Sequence, residues 1–254
     1  MRDEVAKQPG ADEKGLSAMR QVGAETNSRK SVQLFILPYA GGSAAAFKGL
    51  AGLLSSEIDT VIIEYPGRGR RIQELFADSW KMLVEDTKLQ ILDRRNRNIP
   101  FAVLGYSMGT ALAYELIQHG LEEKPVHAFL CARGAGDRFD KSAGMATHEE
   151  FILEMRMLGG IDKRIENDMR LIKYFTKPAY EDYRLLQEYI YQAELGMPEC
   201  NFTVFYCEKD TPYSEVAMWK TRTTGTVTFH EMGKNHFFLL SDAEKMADVI
   251  NRFV

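Results

Sequence analysis

The stretch Phe101-Ala102-Val103-Leu104-Gly105-Tyr106-Ser107-Met108-Gly109-Thr110 decides how the rest of the chain is read. A short apolar run ends in Gly-x-Ser-x-Gly, and a helix-like segment, Ala111-Leu112-Ala113-Tyr114-Glu115-Leu116-Ile117, follows at once. Strand, sharp turn and helix in that order are what a nucleophile elbow requires. The turn brings backbone close to backbone, and Gly105 and Gly109 remove the β-carbons that would clash there. Ser107 then stands at the carboxyl end of a sheet strand, its hydroxyl exposed above a new helix N-terminus. The pentapeptide alone is common. The strand before it and the helix after it make Ser107 a candidate nucleophile.

Outward from the elbow, strands and helices alternate. Val32 to Leu37 looks like a buried strand running into Pro38-Tyr39-Ala40-Gly41-Gly42-Ser43. A helix is expected over Phe47 to Leu54, a strand over Thr60 to Tyr65, a loop at Pro66-Gly67-Arg68-Gly69-Arg70-Arg71, and a helix from Trp80 to Asp93. Val126 to Cys131, Phe202 to Cys207 and Thr226 to Phe229 are further strand candidates, and a final helix is expected from Ser241 to Phe253. This spacing predicts an α/β fold with a mostly parallel sheet covered by helices on both faces. Between about residues 134 and 195 the strand signal vanishes. Thr147 with Glu150 fits a capping box opening a helix through Leu158, stopped by Gly159-Gly160. Later helices carry Leu171, Ile172 and Phe175, then Tyr183, Leu186, Tyr189 and Ile190. The stretch reads as a helical lid inserted between sheet strands, with a plain core helix pair as the alternative. Residues 1–30 are mixed in charge and poor in large apolar groups, and read as a mobile extension ahead of a domain over 31–254.

Composition excludes several classes. The 254 residues suffice for one α/β domain, and 45% hydrophobic content argues against disorder. A net charge of −4 gives no nucleic-acid footprint. No apolar run approaches the ~20 residues of a membrane span, and the N-terminus shows no signal-peptide core. Cys131, Cys200 and Cys207 form no paired framework, which suits a reduced cytoplasmic protein. Histidines and cysteines are too scattered for a metal site, and no dinucleotide or P-loop fingerprint occurs, so neither metal nor cofactor is expected.

A serine hydroxyl needs a base, and the base needs a carboxylate to hold its tautomer. In α/β-hydrolases these arrive in the order Ser, Asp, His. Ser107, Asp210 and His236 follow that order, each after an expected strand. Asp137 and Glu208 are rival acids. His119, His127, His148 and His230 are rival bases, but His236 alone lies in a Gly-x-x-His-Phe-Phe loop before the last helix. Two backbone N–H groups should receive the oxyanion. One is expected from Met108 and the other from the loop after the first strand, with Ala40 chosen and Tyr39 or Gly41 possible. Arg68, Arg70 and Arg71, and Arg94, Arg95 and Arg97, suit either a phosphate or acidic partner or plain solvated charge, the latter being the ordinary expectation.

Taken together, Leu37-Pro38-Tyr39-Ala40-Gly41-Gly42-Ser43, Tyr65-Pro66-Gly67-Arg68-Gly69, Gly105-Tyr106-Ser107-Met108-Gly109 and His236-Phe237-Phe238-Leu239 resemble type II thioesterases, the discrete editing enzymes of nonribosomal peptide and polyketide assembly lines. Glu150-Phe151, Leu158-Gly159-Gly160 and Tyr180-Glu181-Asp182-Tyr183 extend the resemblance into the lid region, so it runs from Val32 to the C-terminus. It implies an α/β-hydrolase fold, with Ser107, Asp210 and His236 as triad and the amides of Met108 and Ala40 as oxyanion donors. It implies thioester hydrolysis on the phosphopantetheine arm of acyl-carrier or peptidyl-carrier domains, with a monomer expected. Two departures stand out: the family usually has His where this chain has Tyr106, and a second Gly or an acidic residue where Lys234-Asn235 precede the base. A medium-chain acyl-carrier thioesterase or carboxylesterase, and a catalytically silent fold that only binds carrier domains, are the alternatives.

Overall fold

Strand β1 (Val32–Leu37) is buried along its whole length and sends its side chains alternately to two cores. Phe35 and Leu37 enter one, while Val32, Leu34 and Ile36 enter the other. That two-sided burial is why Leu34-Phe35-Ile36-Leu37 reads as a continuous apolar run rather than an alternating one. The computed structural model describes residues 30–136, 147–157, 161 and 163–253. The expected N-terminal extension, the rival acid Asp137 and the helix stop at Gly159-Gly160 lie outside the described residues, apart from Lys30.

Among the described residues, six strands form one sheet in the order β2-β1-β3-β4-β5-β6, every neighbouring pair parallel. They are β1, β2 (Ile58–Ile62), β3 (Phe101–Tyr106), β4 (His127–Cys131), β5 (Asn201–Tyr206) and β6 (Val227–Glu231). Strand β2 starts before the expected Thr60 and stops short of Tyr65. The side chains of Glu64 and Tyr65 are instead committed to the loop after β1: Tyr65 donates to the Pro38 carbonyl at 3.0 Å, and Glu64 accepts from the Ala44 N–H at 2.9 Å.

Helices α1 (Lys48–Leu53) and α6 (Ala243–Asn251) cover one face with Leu50, Met246 and Ile250. Helices α2 (Trp80–Arg94) and α3 (Met108–Glu115) cover the other with Trp80, Leu83, Ile91, Ala111 and Leu112. The Ser79 hydroxyl accepts from the Met82 N–H at 3.2 Å and so caps α2. Helix α6 is shorter than expected, because Ser241 and Asp242 close the preceding turn onto the Phe238 carbonyl.

Among the described residues, the segment between β4 and β5 holds helices and a single bridge residue but no β-strand. Helix α4 (His148–Met157) opens with the expected capping box: Glu150 N–H donates to Thr147 Oγ1 at 3.2 Å and Thr147 N–H to Glu150 Oε2 at 3.1 Å. The two later helices expected from the pattern are one helix, α5 (Met169–Leu186), which runs through Pro178. Proline removes one backbone donor, but Ile172 and Thr176 before it and Ala179, Asp182 and Tyr183 after it are all buried, so packing on both sides keeps the helix whole. Phe151, Ala179 and Tyr183 form a small core of their own between α4 and α5. No helix among the described residues is long and apolar enough to cross a membrane.

Candidate active site

A parallel sheet brings every strand's carboxyl end to the same edge, and the loops there come from distant parts of the chain. Ser107 follows β3 directly. Its φ of +53° and ψ of −110° lie where L-residues are strained, as a nucleophile elbow demands. A β-carbon on Gly105 would fall 2.3 Å from the Gly109 carbonyl oxygen, and one on Gly109 would fall 2.0 Å from the Leu37 carbonyl oxygen. Only hydrogen fits at either place. The Ser107 N–H donates to the Cys131 carbonyl at 2.8 Å. The hydroxyl of Thr110 lies 2.8 Å from the Gly105 carbonyl oxygen and 2.9 Å from that of Cys131, and accepts from the Cys131 N–H at 3.2 Å. The elbow is thus tied to β4 as well as to β1.

His236 Nε2 lies 3.0 Å from Ser107 Oγ, and His236 Nδ1 lies 2.8 Å from Asp210 Oδ2. Asp210 sits in the turn after β5, its N–H donating to the Cys207 carbonyl at 2.9 Å, and Thr211 Oγ1 donates to Asp210 Oδ2 at 3.1 Å. The rival acid Glu208 is turned away and accepts from the Tyr213 N–H at 2.9 Å. The rival histidines also have other neighbours. His127 pairs with Thr203 and His148 with Thr176, His119 lies beside Glu115, and His230 packs on Phe205.

The loop after β1 faces the elbow, and one of its amides is already engaged. Gly41 N–H donates to Asp182 Oδ2 at 2.8 Å, which removes Gly41 as an oxyanion donor and leaves Tyr39 and Ala40. Among the described residues the N–H groups of Ala40 and Met108 meet no protein acceptor, as expected for Met108 in the first turn of α3.

Tyr106 is wholly buried on the opposite side of β3 from the sheet's α2–α3 core. Its hydroxyl donates to the His236 carbonyl at 2.7 Å and accepts from the Leu239 N–H at 3.2 Å. Burial pushes its phenol well above the ordinary value, so the hydroxyl stays protonated and remains a donor. The residue beside the serine therefore holds the backbone of the histidine loop. Sequence reasoning marked the position as a departure but had no signal for the partner.

Three arginines of these loops are paired with carboxylates. Arg68, only 4% exposed, donates both terminal nitrogens to Asp182, and Arg71 pairs with Glu74 at 2.5 Å and Asp86 at 2.8 Å. Arg95 pairs with Glu123 at 2.6 Å, and Arg94 lies 3.3 Å from Gln90 Oε1. Arg70 and Arg97 are exposed. Solvated charge is therefore wrong for Arg68, because a counterion waits on α5. The described residues include no His, Cys, Asp and Glu group able to hold a metal ion.

A wholly parallel sheet between helical layers, with a Ser-His-Asp hydrogen-bond relay on its carboxyl edge, defines an α/β-hydrolase. Within that class the chain belongs to the Thioesterase domain family, whose model matches residues 32–254. The gramicidin S biosynthesis protein GrsT of Aneurinibacillus migulanus is 29% identical over 234 residues, 89% of this chain and 90% of that protein. The RedJ thioesterase of the prodiginine biosynthetic pathway in Streptomyces coelicolor superposes with a TM-score of 0.80 at 25% identity, covering 98% of both chains. The type II thioesterase BorB of the borrelidin biosynthetic cluster superposes at 0.76 with 26% identity, covering 87% of this chain and 92% of its own.

Proposed function

We propose that this protein is a type II thioesterase that cleaves acyl groups from the phosphopantetheine arm of acyl-carrier or peptidyl-carrier domains, clearing stalled groups from a polyketide or nonribosomal peptide assembly line. The observation that carries the reading is the relay from Ser107 Oγ through His236 to Asp210, 3.0 and 2.8 Å long, in a chain of the thioesterase family. Among the similar proteins, GrsT is named for gramicidin S biosynthesis, RedJ is a thioesterase of the prodiginine biosynthetic pathway, and BorB is a type II thioesterase of the borrelidin biosynthetic cluster.

Ser107 Oγ attacks the thioester carbonyl carbon while His236 Nε2 takes its proton. The carbonyl oxygen becomes an oxyanion that receives the N–H groups of Met108 and Ala40. The intermediate collapses, the C–S bond breaks, and the imidazolium returns its proton to the departing thiolate. A water molecule then attacks the acyl-enzyme with His236 again as base, which releases a free acid and restores Ser107. Asp210 holds the Nδ1–H tautomer and stabilises the imidazolium throughout. No step calls for a cofactor or metal. The helices between about residues 134 and 195 act as a lid that shields the acyl-enzyme from stray water.

The test is a panel of acyl groups loaded on carrier protein, with simple esters alongside and Ser107→Ala as control. Turnover that favours carrier thioesters and vanishes in Ser107→Ala is expected. Equal turnover by the two proteins sinks the serine mechanism, and a preference for simple esters assigns the chain to the carboxylesterases. Failure of Ser107 to react with a fluorophosphonate would leave only a carrier-binding role.

A further inference from the structure

The loop expected to supply the second oxyanion donor is held by α5 through a buried ion pair. Asp182 is 1% exposed and Arg68 4%. Arg68 Nη2 donates to Asp182 Oδ1 at 2.6 Å and Nη1 donates to Oδ2. The same Oδ2 accepts the Gly41 N–H at 2.8 Å. The fit is tight. Gly41 has φ +77°, and a β-carbon there would fall 2.5 Å from Ala179 Cβ and 2.8 Å from Ala179 Cα, so the α5 backbone rests directly on this peptide. On its other flanks the loop is fixed from below: Tyr65 Oη donates to the Pro38 carbonyl at 3.0 Å, and the Ala44 N–H donates to Glu64 Oε1 at 2.9 Å. Those two anchors belong to the sheet scaffold. The Asp182 anchor alone comes from the helical insertion.

A buried ion pair adds little net stability, because the desolvation of both ions offsets their attraction. Burial pushes the Asp182 carboxyl up, while Arg68 and the Gly41 N–H pull it back. What the pair does supply is direction. Two parallel N–H···O bonds fix the plane of the carboxylate, and the carboxylate fixes the Gly41 N–H. The Ala40 N–H lies one α-carbon earlier.

We propose that Asp182, itself held by Arg68, is a positioning residue for the oxyanion donor, so that docking of α5 and assembly of the oxyanion hole are one event. This rests on the serine-thioesterase reading above. With α5 displaced, the Ser107-His236-Asp210 relay keeps its own contacts, since among the described residues its hydrogen bonds involve no group of α5. The donor loop loses its third anchor. An open enzyme therefore holds a primed serine but a poorly aimed hole, which restrains hydrolysis until the insertion closes over a bound acyl group.

The experiment compares wild type, Asp182→Ala, the neutral pair Asp182→Asn/Arg68→Gln, and Ser107→Ala on an acyl-carrier thioester. A trifluoromethyl ketone of matching chain length serves as probe, because its hemiketal with Ser107 places an oxyanion in the hole. Asp182→Ala should lose about 10- to 100-fold in kcat, part of what deleting a donor outright costs, with KM within about threefold. Ketone affinity should fall by the same factor as kcat. The neutral pair keeps an acceptor for Gly41 and should recover to within about fivefold of wild type. A merely structural role predicts a lower Tm and fewer fluorophosphonate-reactive molecules but unchanged ketone affinity in those that remain, and that result overturns the proposal. So does an Asp182→Ala enzyme with wild-type kcat while Ser107→Ala is inactive. Activity persisting in Ser107→Ala instead refutes the serine reading itself. Should Asp182→Ala not fold, hydrogen exchange of the wild-type protein decides. Peptides over residues 38–44 and over α5 should open at a common rate, and a loop that exchanges independently of α5 overturns the coupling.

Discussion

Replacing Tyr106 by Phe removes one oxygen atom from the interior and tests whether the residue beside Ser107 holds the histidine loop. In wild type that oxygen serves two groups, donating to the His236 carbonyl at 2.7 Å and accepting from the Leu239 N–H at 3.2 Å. Tyr106 is wholly buried, so water cannot take its place without opening the packing against Tyr39, Phe47 and Phe238, whose ring centroids lie 5.9, 6.1 and 5.2 Å away. Each abandoned polar group costs about 1–3 kcal/mol, and the longer bond to Leu239 belongs at the low end. The expected loss is about 2–4 kcal/mol, or a Tm drop of roughly 5–12 °C for a domain of this size. The catalytic effect comes through His236. Its ring is held at both nitrogens, but its backbone loses the bond that sets the loop's height over the elbow. Small displacements of reacting groups are expensive, and about tenfold in kcat with KM unchanged within twofold is expected. Differential scanning fluorimetry and steady-state hydrolysis of one acyl-carrier substrate measure both. A variant with Tm within about 1 °C and kcat within twofold of wild type would refute the reasoning. The hydroxyl would then be a spectator.

Further outcomes follow from the same contacts. Asp210→Asn should lower kcat by about 10³–10⁴, the usual cost of a wrong histidine tautomer, whereas Glu208→Gln and Asp137→Ala should stay within about threefold; the reverse pattern would reassign the acid. Gly109→Ala places a methyl 2.0 Å from the Leu37 carbonyl oxygen and 2.7 Å from that of Pro38, so soluble, folded protein should be lost or its Tm fall by more than about 10 °C; an active, stable variant would contradict the elbow geometry. Burial between the rings of Phe129 and Phe253 depresses His127 to about 4, below the ordinary 6.5. The unfolded chain therefore binds the extra proton first, and stability present above about pH 6.5 is lost as pH falls toward 4. Allowing for partial exposure, roughly 1–2 kcal/mol is at stake, and His127→Gln should flatten that part of a urea-denaturation pH profile; an unchanged slope would remove His127 as its source.

The scaffold was legible because its signals are local or periodic. The apolar runs Leu34-Phe35-Ile36-Leu37 of β1 and Phe101-Ala102-Val103-Leu104 of β3 reported burial on both faces, and Thr147 with Glu150 reported a helix start within one turn. The elbow was legible because its glycines answer to a steric demand inside five residues. Ser107, His236 and Asp210 could be gathered because each sits just past a strand, and parallel strands deliver such positions to one edge whatever their separation in the chain. Asp137 and Glu208 satisfied the same rule, so the choice between acids turns on which carboxylate reaches the imidazole in space. That of Glu208 is turned instead to the Tyr213 N–H.

Arg68 shows where this kind of reading stops. In Gly67-Arg68-Gly69-Arg70-Arg71 it has the same local appearance as its two neighbours, yet Arg70 is exposed and Arg71 pairs within its own neighbourhood, while Arg68 is buried against a residue 114 positions away. Nothing periodic links the two, and neither charge is unusual by itself. The partner is specified only when α5 lies across the loop after β1, a placement that depends on Ala179 meeting a residue without a β-carbon at Gly41. The ion pair and the close contact therefore define each other: the small residues let the helix approach, and the approach makes burial of both charges tolerable because each finds its counterion. Enlarging residue 179 should then act on the distant pair. Ala179→Leu pushes α5 off Gly41, and if the contacts are mutually dependent it should also expose the Arg68 guanidinium. A phenylglyoxal-insensitive arginine in wild type should become reactive in the variant. If Arg68 stays protected, the ion pair holds the helix without help from the loop, and the two features are independent.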